Sequence, residues 1–348
     1  MSADAPTAMR TSGPGGGPKG TPRAIALSPI LSARYRRRDL DAIEAAAPGS
    51  RLVSVSLEGL ADSDLSDVEV LLRGPLPAGV FDRIITRCPD LKWVHSATAG
   101  VERVLTPAAL ARGLAITNAR GVFSEPIAEY VLMMILAISR RLPQLLELQR
   151  ERTWQPLEAT ELRDVTVGVV GLGSIGRRVA QLASTFGSRV IAVRRGTGGA
   201  AGGSAVEGVD QIVSSDRLPE LLGASDFVVL ALPLTTETEE LLDERMLGHA
   251  KPGAWLINVA RGRLVDERAL VRALREGPLG GAVLDTFVEE PLPRDSVLYT
   301  LPNAIVTPHT SWSSGRALDR SIGLFCDNLR LFAAGRRLRN LVDPALGY

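Results

Sequence analysis

The chain has 348 residues, 45% of them hydrophobic and 23% charged, with 40 basic against 39 acidic side chains. That length suits two domains, each with its own core, and the balance of residues excludes a disordered chain. Near-neutrality offers no electrostatic basis for binding nucleic acid or an anionic membrane, and two cysteines with three histidines exclude a disulfide framework or a metal centre.

Residues 1–22 are nearly all Gly, Pro, Ser, Thr and Ala, a composition expected to stay disordered because it buries too little to offset its own ordering. Order is expected from Arg23, with Ala24–Leu27 as a buried strand and the basic cluster Arg34–Arg38 as a solvated face at a helix start. Strands are expected at Val53–Leu57, Val68–Leu72, Trp93–His95 and Ala115–Thr117, and helices at Asp39–Ala47 and Phe81–Cys88. Such alternation predicts a parallel sheet covered by helices. A long helix follows over about Pro126–Leu142, with proline at its start and Arg140-Arg141 at its end. It is apolar nearly all round, which predicts burial between domains or in a subunit interface. Its longest apolar run, Tyr130–Ser139, is too short to span a bilayer. With no leader-like segment, a cytoplasmic protein is expected. A polar stretch, Glu147–Arg163, precedes a second α/β series over Val165–Val306, interrupted by a glycine-rich surface loop at Gly196–Gly203. The last helix, about Ser314–Gly335, is amphipathic and is expected to pack on the first domain. Cys88 and Cys326 read as buried or incidental thiols.

Val165–Val170 is a β-branched strand that runs directly into Gly171-Leu172-Gly173-Ser174-Ile175-Gly176 and then a helix. This is the order of a dinucleotide site. Gly171 permits the tight turn, Gly173 the approach of the pyrophosphate and Gly176 close packing of helix on strand, while the helix N-terminus faces the phosphates. The next strand, Arg189–Val193, ends in Arg194-Arg195 where an NAD site carries an acidic residue for the ribose 2′-OH. Arginine cannot accept those hydrogen bonds but can grip a 2′-phosphate, so NADP(H) is favoured, with NAD(H) possible.

Three further strands end in polar residues: Ile257–Gly262 in Arg261, Leu284–Pro291 in Glu290, and Val306–His309 in His309. Ligands bind at that edge of an open α/β sheet. Arg261 can clamp a carboxylate and polarise the neighbouring carbonyl. His309 can exchange a proton with the oxygen, and Glu290 can orient the imidazole and stabilise its protonated form. Together they suit a keto acid. His95 reads as a hydrogen-bonded structural residue and His249 as an exposed helix end.

These motifs, with Leu232–Thr238 (LPLTTET) and Lys251–Gly262 (KPGAWLINVARG), resemble the D-isomer-specific 2-hydroxyacid dehydrogenase family over about residues 24–340. The resemblance implies Arg261, Glu290 and His309 as the catalytic trio. It implies Asp285 as a contact to the nicotinamide carboxamide, and Val259 with Ala260 as its backbone neighbours. Ser174 and Ile175 belong to the glycine motif, and Leu232, Pro233 and Thr238 to the adenosine side. The loop Ser96–Val101 is similar to the family's carboxylate loop, with Thr98, Ala99 and Gly100 sharing the anion with Arg261. Thr310-Ser311-Trp312 after the histidine resembles the glyoxylate and hydroxypyruvate reductase branch. Glu290 differs from the glutamine of formate dehydrogenases, and the absence of a long segment after residue 348 weighs against the regulated phosphoglycerate dehydrogenases. Thr98 and Glu102 depart from the family's usual Gly and Asp, so pocket size is expected to differ.

The implied architecture is α/β: two Rossmann-like or flavodoxin-like domains with parallel sheets and an interdomain active-site cleft. Residues 23–120 plus 309–348 would form the substrate domain and 121–308 the NAD(P)-binding domain. The implied activity is reduction of a small 2-keto acid to the D-2-hydroxy acid, or the reverse oxidation, by a homodimer. A specialised biosynthetic reductase for a larger keto acid or phosphonate analogue, and a dinucleotide-sensing corepressor-like protein, remain as alternatives.

Overall fold

The computed structural model describes residues 20–30, 35–194 and 205–345. Residues 1–19, the glycine-rich loop at 196–203, Arg34 and Arg195 lie outside them. The chain divides into two compact units, one running up to Ala119 and resuming at Leu318, the other spanning Arg120–Ala317. The return to the first unit thus falls at Leu318 rather than at the expected 309, since the residues that follow His309 are bonded into the second unit.

The first unit contains β1 (Ala24–Leu27), α1 (Arg37–Ala46), β2 (Arg51–Ser54), β3 (Val68–Arg73), α2 (Ala78–Arg87), β4 (Trp93–Ser96), α3 (Pro107–Ala111) and β5 (Ala115–Thr117). Its strands are all parallel, in the order β2-β1-β3-β4-β5. The three inner strands β1, β3 and β4 are buried along their whole length, as expected of a sheet covered on both faces. The expected tail is too long at its end: Pro22 is buried and the Gly20 N–H donates to the Ala333 carbonyl at 3.0 Å. The second strand also ends earlier than expected, because Val55 faces Ala61 across a turn, where the Ser56 N–H donates to the Leu60 carbonyl at 2.7 Å.

The second unit contains α4 (Ser124–Ser139), α5 (Leu142–Arg150), β6 (Thr166–Val170), α6 (Ser174–Thr185), β7 (Arg189–Val193), β8 (Gln211–Val213), α7 (Leu218–Ala224), β9 (Phe227–Leu230), α8 (Glu244–Leu247), β10 (Trp255–Asn258), α9 (Glu267–Arg275), β11 (Gly281–Leu284) and β12 (Ala304–Val306). Its seven parallel strands run β12-β11-β10-β9-β6-β7-β8. The order reverses between β6 and β9, which makes the carboxyl ends of those strands the switch point of a doubly wound sheet. The expected long helix is α4, and an unexpected one follows it: Arg141 takes φ 60 and ends the first, and α5 runs on into the start of the expected polar stretch. One face of α4 is buried, with Val131, Met134 and Ile135 on it, while Met133 is exposed.

The last helix, α10 (Ala317–Ala333), packs into the first unit's core. There Trp93 stacks on Phe332 at 5.6 Å and lies 5.4 Å from Phe325, and His95 sits 5.5 Å from Phe325 with Nδ1 2.7 Å from Thr117 Oγ1. His95 has no exposed surface, and burial pushes its pKa down to about 3. The unfolded chain therefore binds a proton that the folded chain refuses. Stability is complete above the unfolded value near 6.5 and falls below it by up to roughly 1.4 kcal/mol per pH unit until about pH 3. Urea unfolding followed by circular dichroism at pH 7 and pH 5 is expected to register this loss, and His95→Gln to lose less between the two pH values; an equal loss would assign the acid sensitivity elsewhere.

Candidate active site

Because every strand of the second unit is parallel, the loops after β6, β7, β9, β10, β11 and β12 all emerge at one edge. The turn after β6 is Gly171–Gly176. Gly171 holds φ 103, and a Cβ there would lie 2.7 Å from the Ala231 carbonyl oxygen. A Cβ on Gly176 would fall 1.9 Å from the Gly171 oxygen and 3.0 Å from the Val169 side chain, so the helix packs directly on the turn and the strand end. Gly173 is the opposite case, with no atom within 4 Å of a Cβ position. No side chain caps α6 at Gly173 among the described residues. The first turn of the helix, including Ser174 and Ile175, thus presents its N–H groups to open space, a cradle that fits a pyrophosphate. Beyond β9, Leu232 is half-buried, and Thr238 Oγ1 donates to the Pro233 carbonyl at 2.8 Å and accepts the Thr235 N–H at 2.7 Å, closing that loop on itself. Arg194, at the end of β7, is half-buried and its N–H donates to the Val213 carbonyl at 3.2 Å.

The three polar strand ends lie on the neighbouring strands β10, β11 and β12. After β10 the chain passes Val259 and Ala260, both nearly buried, and the Asn258 side chain fixes the bend by accepting the Ala260 N–H at 3.1 Å and donating to the Arg261 carbonyl at 2.8 Å. Asp266 then caps α9, accepting from Arg268 and Ala269 N–H groups at 2.9 and 3.2 Å, which closes the loop that carries Arg261. A Cβ on Gly262 would lie 2.0 Å from the Phe287 carbonyl carbon, so this loop presses on the one after β11.

In that second loop Glu290 accepts the Phe287 N–H on Oε1 at 3.0 Å and meets His309 Nδ1 on Oε2 at 2.8 Å. Burial opposes ionisation of Glu290. The hydrogen bonds from His309 and Phe287, with the charges of His309 and Arg261, outweigh it and hold the carboxyl below its ordinary range. Glu290 is thus a carboxylate at neutral pH and fixes one imidazole nitrogen, leaving Nε2 of His309 for another partner. His309 itself stands at φ 48, in the left-handed region.

Asp285, at the end of β11, has no exposed surface. Its carboxylate accepts the Thr307 hydroxyl at 2.6 Å and the Thr310 N–H at 2.8 Å on one oxygen, and the Ser311 N–H at 2.9 Å on the other. It binds the loop on both sides of His309. Sequence reasoning placed Asp285 at this edge but missed Thr307 and Tyr130, whose hydroxyls lie 2.6 Å apart. Thr307 was visible only as the first letter of a Thr-Pro-His triplet, and Tyr130 was hidden in an apolar run.

In the first unit the loop after β4 is held by Ser96, Thr98 and Asn118. Thr98 Oγ1 donates to the Gly100 carbonyl at 2.9 Å, and Asn118 Nδ2 to the Ala99 carbonyl at 2.9 Å. Among the described residues, the N–H groups of Ala99 and Gly100 meet no acceptor, so this loop can offer donors to an anion.

Residues 132–311 match the model of the D-isomer specific 2-hydroxyacid dehydrogenase NAD binding domain. The chain belongs to this family. It is 32% identical over 316 residues to a glyoxylate reductase of Korarchaeum cryptofilum, covering 88% of this chain and 90% of the relative. A D-3-phosphoglycerate dehydrogenase of Mycobacterium bovis is 38% identical over 266 residues, and there the chain spans only 49% of the relative. The solved D-isomer specific 2-hydroxyacid dehydrogenase of Xanthobacter autotrophicus, in complex with NADPH and MES, superposes with a TM-score of 0.81 at 32% identity, covering 96% of this chain and all of that one. The dehydrogenase is therefore an NAD(P)-dependent oxidoreductase with a Rossmann-like domain. Among the described residues no group of side chains could hold a metal ion and no helix is long and apolar enough to cross a membrane.

The last two glycines of the turn, Gly173 and Gly176, separate binding from folding. Gly176→Ala is expected to lower the thermal midpoint sharply, since its Cβ meets backbone. Gly173→Ala should leave the midpoint within a degree or two while weakening dinucleotide binding about tenfold or more, read by nicotinamide fluorescence. Unchanged affinity in Gly173→Ala would place the phosphates elsewhere.

Proposed function

We propose that the dehydrogenase reduces a small 2-keto acid of the glyoxylate and hydroxypyruvate class to the D-2-hydroxy acid, or oxidises it in reverse, with NADP(H) preferred over NAD(H). The observation that carries this reading is the 2.8 Å pair of His309 and Glu290, with the charge of Arg261 acting on it, at the same sheet edge as the glycine turn. Arg261 grips the substrate carboxylate with its planar fork, and its charge draws electron density from the adjacent carbonyl. His309 delivers a proton from Nε2 to the carbonyl oxygen, and takes it back in oxidation. Glu290 keeps the ring oriented through Nδ1 and stabilises the protonated imidazole. When bound, the nicotinamide supplies the hydride at the carbonyl carbon. Val259, Ala260 and Asp285 stand on the nicotinamide side, and Leu232, Pro233 and Thr238 on the adenosine side. Arg194 and Arg195 hold the 2′-phosphate, in keeping with the NADPH of the Xanthobacter relative. In the first unit, the N–H groups of Ala99 and Gly100, in the loop shaped by Thr98, suit an anion. Two unpaired, buried thiols suit a reducing, cytoplasmic setting.

The purified protein, given glyoxylate, hydroxypyruvate, pyruvate and phenylpyruvate, is expected to oxidise NADPH faster than NADH at 340 nm. His309→Ala should lose about 10²–10⁴-fold in kcat, and Arg194→Ala should shrink the preference for NADPH. Dinucleotide binding with no acid reduced, or turnover that survives in His309→Ala, would overturn the reading.

A homodimer is proposed as well. Met133 on α4, Leu142, Leu145 and Leu146 on α5, and Trp154 beyond it are all exposed, an apolar concentration out of place on a monomer. Light scattering behind gel filtration is expected to give twice the chain mass, and Leu146→Asp to shift it toward the single chain; a monomeric wild type would remove the proposal.

A further inference from the structure

Tyr130 lies on α4, outside the motifs that define the site, yet its hydroxyl is 2.6 Å from Thr307 Oγ1. Thr307 Oγ1 is in turn 2.6 Å from Asp285 Oδ1. Proton ownership along this chain follows from chemistry. A carboxylate only accepts, so the single hydroxyl proton of Thr307 goes to Asp285, and the phenol must donate to Thr307. Burial pushes the Tyr130 phenol up to about 12, the Thr307 hydrogen bond opposing and the Asp285 charge adding to it, so the proton stays on the phenol at any working pH.

From the geometry we infer that Tyr130 is a positioning residue for His309, acting through Thr307 and Asp285. This rests on the reading of His309 as the proton donor. Apart from its 2.8 Å bond to Glu290, the His309 side chain has no hydrogen-bond partner among the described residues. Its side chain is 41% exposed, and its backbone sits in a left-handed conformation that a residue with a Cβ rarely adopts. The loop is kept in that shape by three donors on Asp285 and by the His309 N–H on the Thr307 carbonyl at 3.0 Å. Tyr130 fixes the rotamer of Thr307. Without the phenol, the Thr307 hydroxyl loses its donor and can turn away from Asp285, leaving only the Thr310 N–H on that oxygen. The loop then fluctuates about the geometry that aligns Nε2.

Tyr130→Phe keeps the ring and removes one atom, so it separates this role from packing. Turnover is expected to fall about tenfold in kcat, with KM for the dinucleotide within twofold of wild type. Independently of activity, the three histidines allow selective ¹³C labelling at Cε1. The His309 resonance, assigned with His309→Asn, should broaden or split in Tyr130→Phe, while those of His95 and His249 stay sharp. Thr307→Val cuts the same relay one atom on and should broaden the same resonance. A sharp, unshifted His309 signal in Tyr130→Phe overturns the inference, whatever Thr307→Val does. If the wild type reduces none of the acids, the proposed activity fails, and the labelled spectra still decide whether Tyr130 holds the loop.

Discussion

A buried carboxylate that accepts three hydrogen bonds is the constraint on which the rest of the site depends. Asp285 has no exposed surface, and such a charge is tolerable only where donors surround it. The donors are the Thr307 hydroxyl and the N–H groups of Thr310 and Ser311. They lie on both sides of His309, so the need to satisfy the charge dictates the path of the loop. The left-handed φ of His309 is the local consequence, costing on the order of 1–3 kcal/mol that these bonds offset. Burial of a single charge at the end of β11 thus fixes a side chain beyond the end of β12.

The parallel sheet sets where such devices can stand. In the order β12-β11-β10-β9-β6-β7, the strand ends present in turn His309, Asp285, Arg261, Leu232, the glycine turn and Arg194. The turn after β6 is shaped by exclusion: Gly176 leaves no room for a side chain, and Gly173 leaves room that no protein atom fills. Folding demands the first glycine and ligand binding the second. The two outermost features, His309 and Arg194, suit opposite ends of one extended dinucleotide and its substrate.

Much of this was legible in the sequence, because the signals were local. A β-branched strand followed by Gly171, Gly173 and Gly176 carries its geometry in consecutive residues, and the strands ending near Arg261, Asp285 and His309 are short apolar runs closed by polar residues. What escaped depended on contacts distant in the chain. Tyr130 and Thr307 are 177 residues apart, and a tyrosine inside an apolar helix gives no hint that its hydroxyl is engaged. The helix α5 was missed for another reason: Leu142, Leu145 and Leu146 are exposed, so its pattern answers to no core within the chain. The boundary near residue 309 was misplaced because Asp285 reaches forward to hold residues beyond the histidine, which no local signal reports.

The role of α4 draws these strands of argument together. The helix carries no residue of the proposed chemistry, yet it is tied to both halves of the second unit's edge. Glu125 forms a two-pronged pair with Arg178 of α6, at 2.7 Å for each bond, and so braces the helix that begins at the glycine turn. Tyr130 reaches the loop of His309. Met133 is exposed, as are Leu142, Leu145 and Leu146 of α5. A helix apolar on nearly every side can serve three surfaces at once, whereas an amphipathic one would have given its polar face to water. One element thus braces the dinucleotide turn through Glu125, is inferred to align the proposed proton donor through Tyr130, and carries Met133 on the face where a second copy is proposed to settle. An association through Met133 would then bear on the same rigid helix that carries Tyr130, so that assembly and alignment of the imidazole share one support.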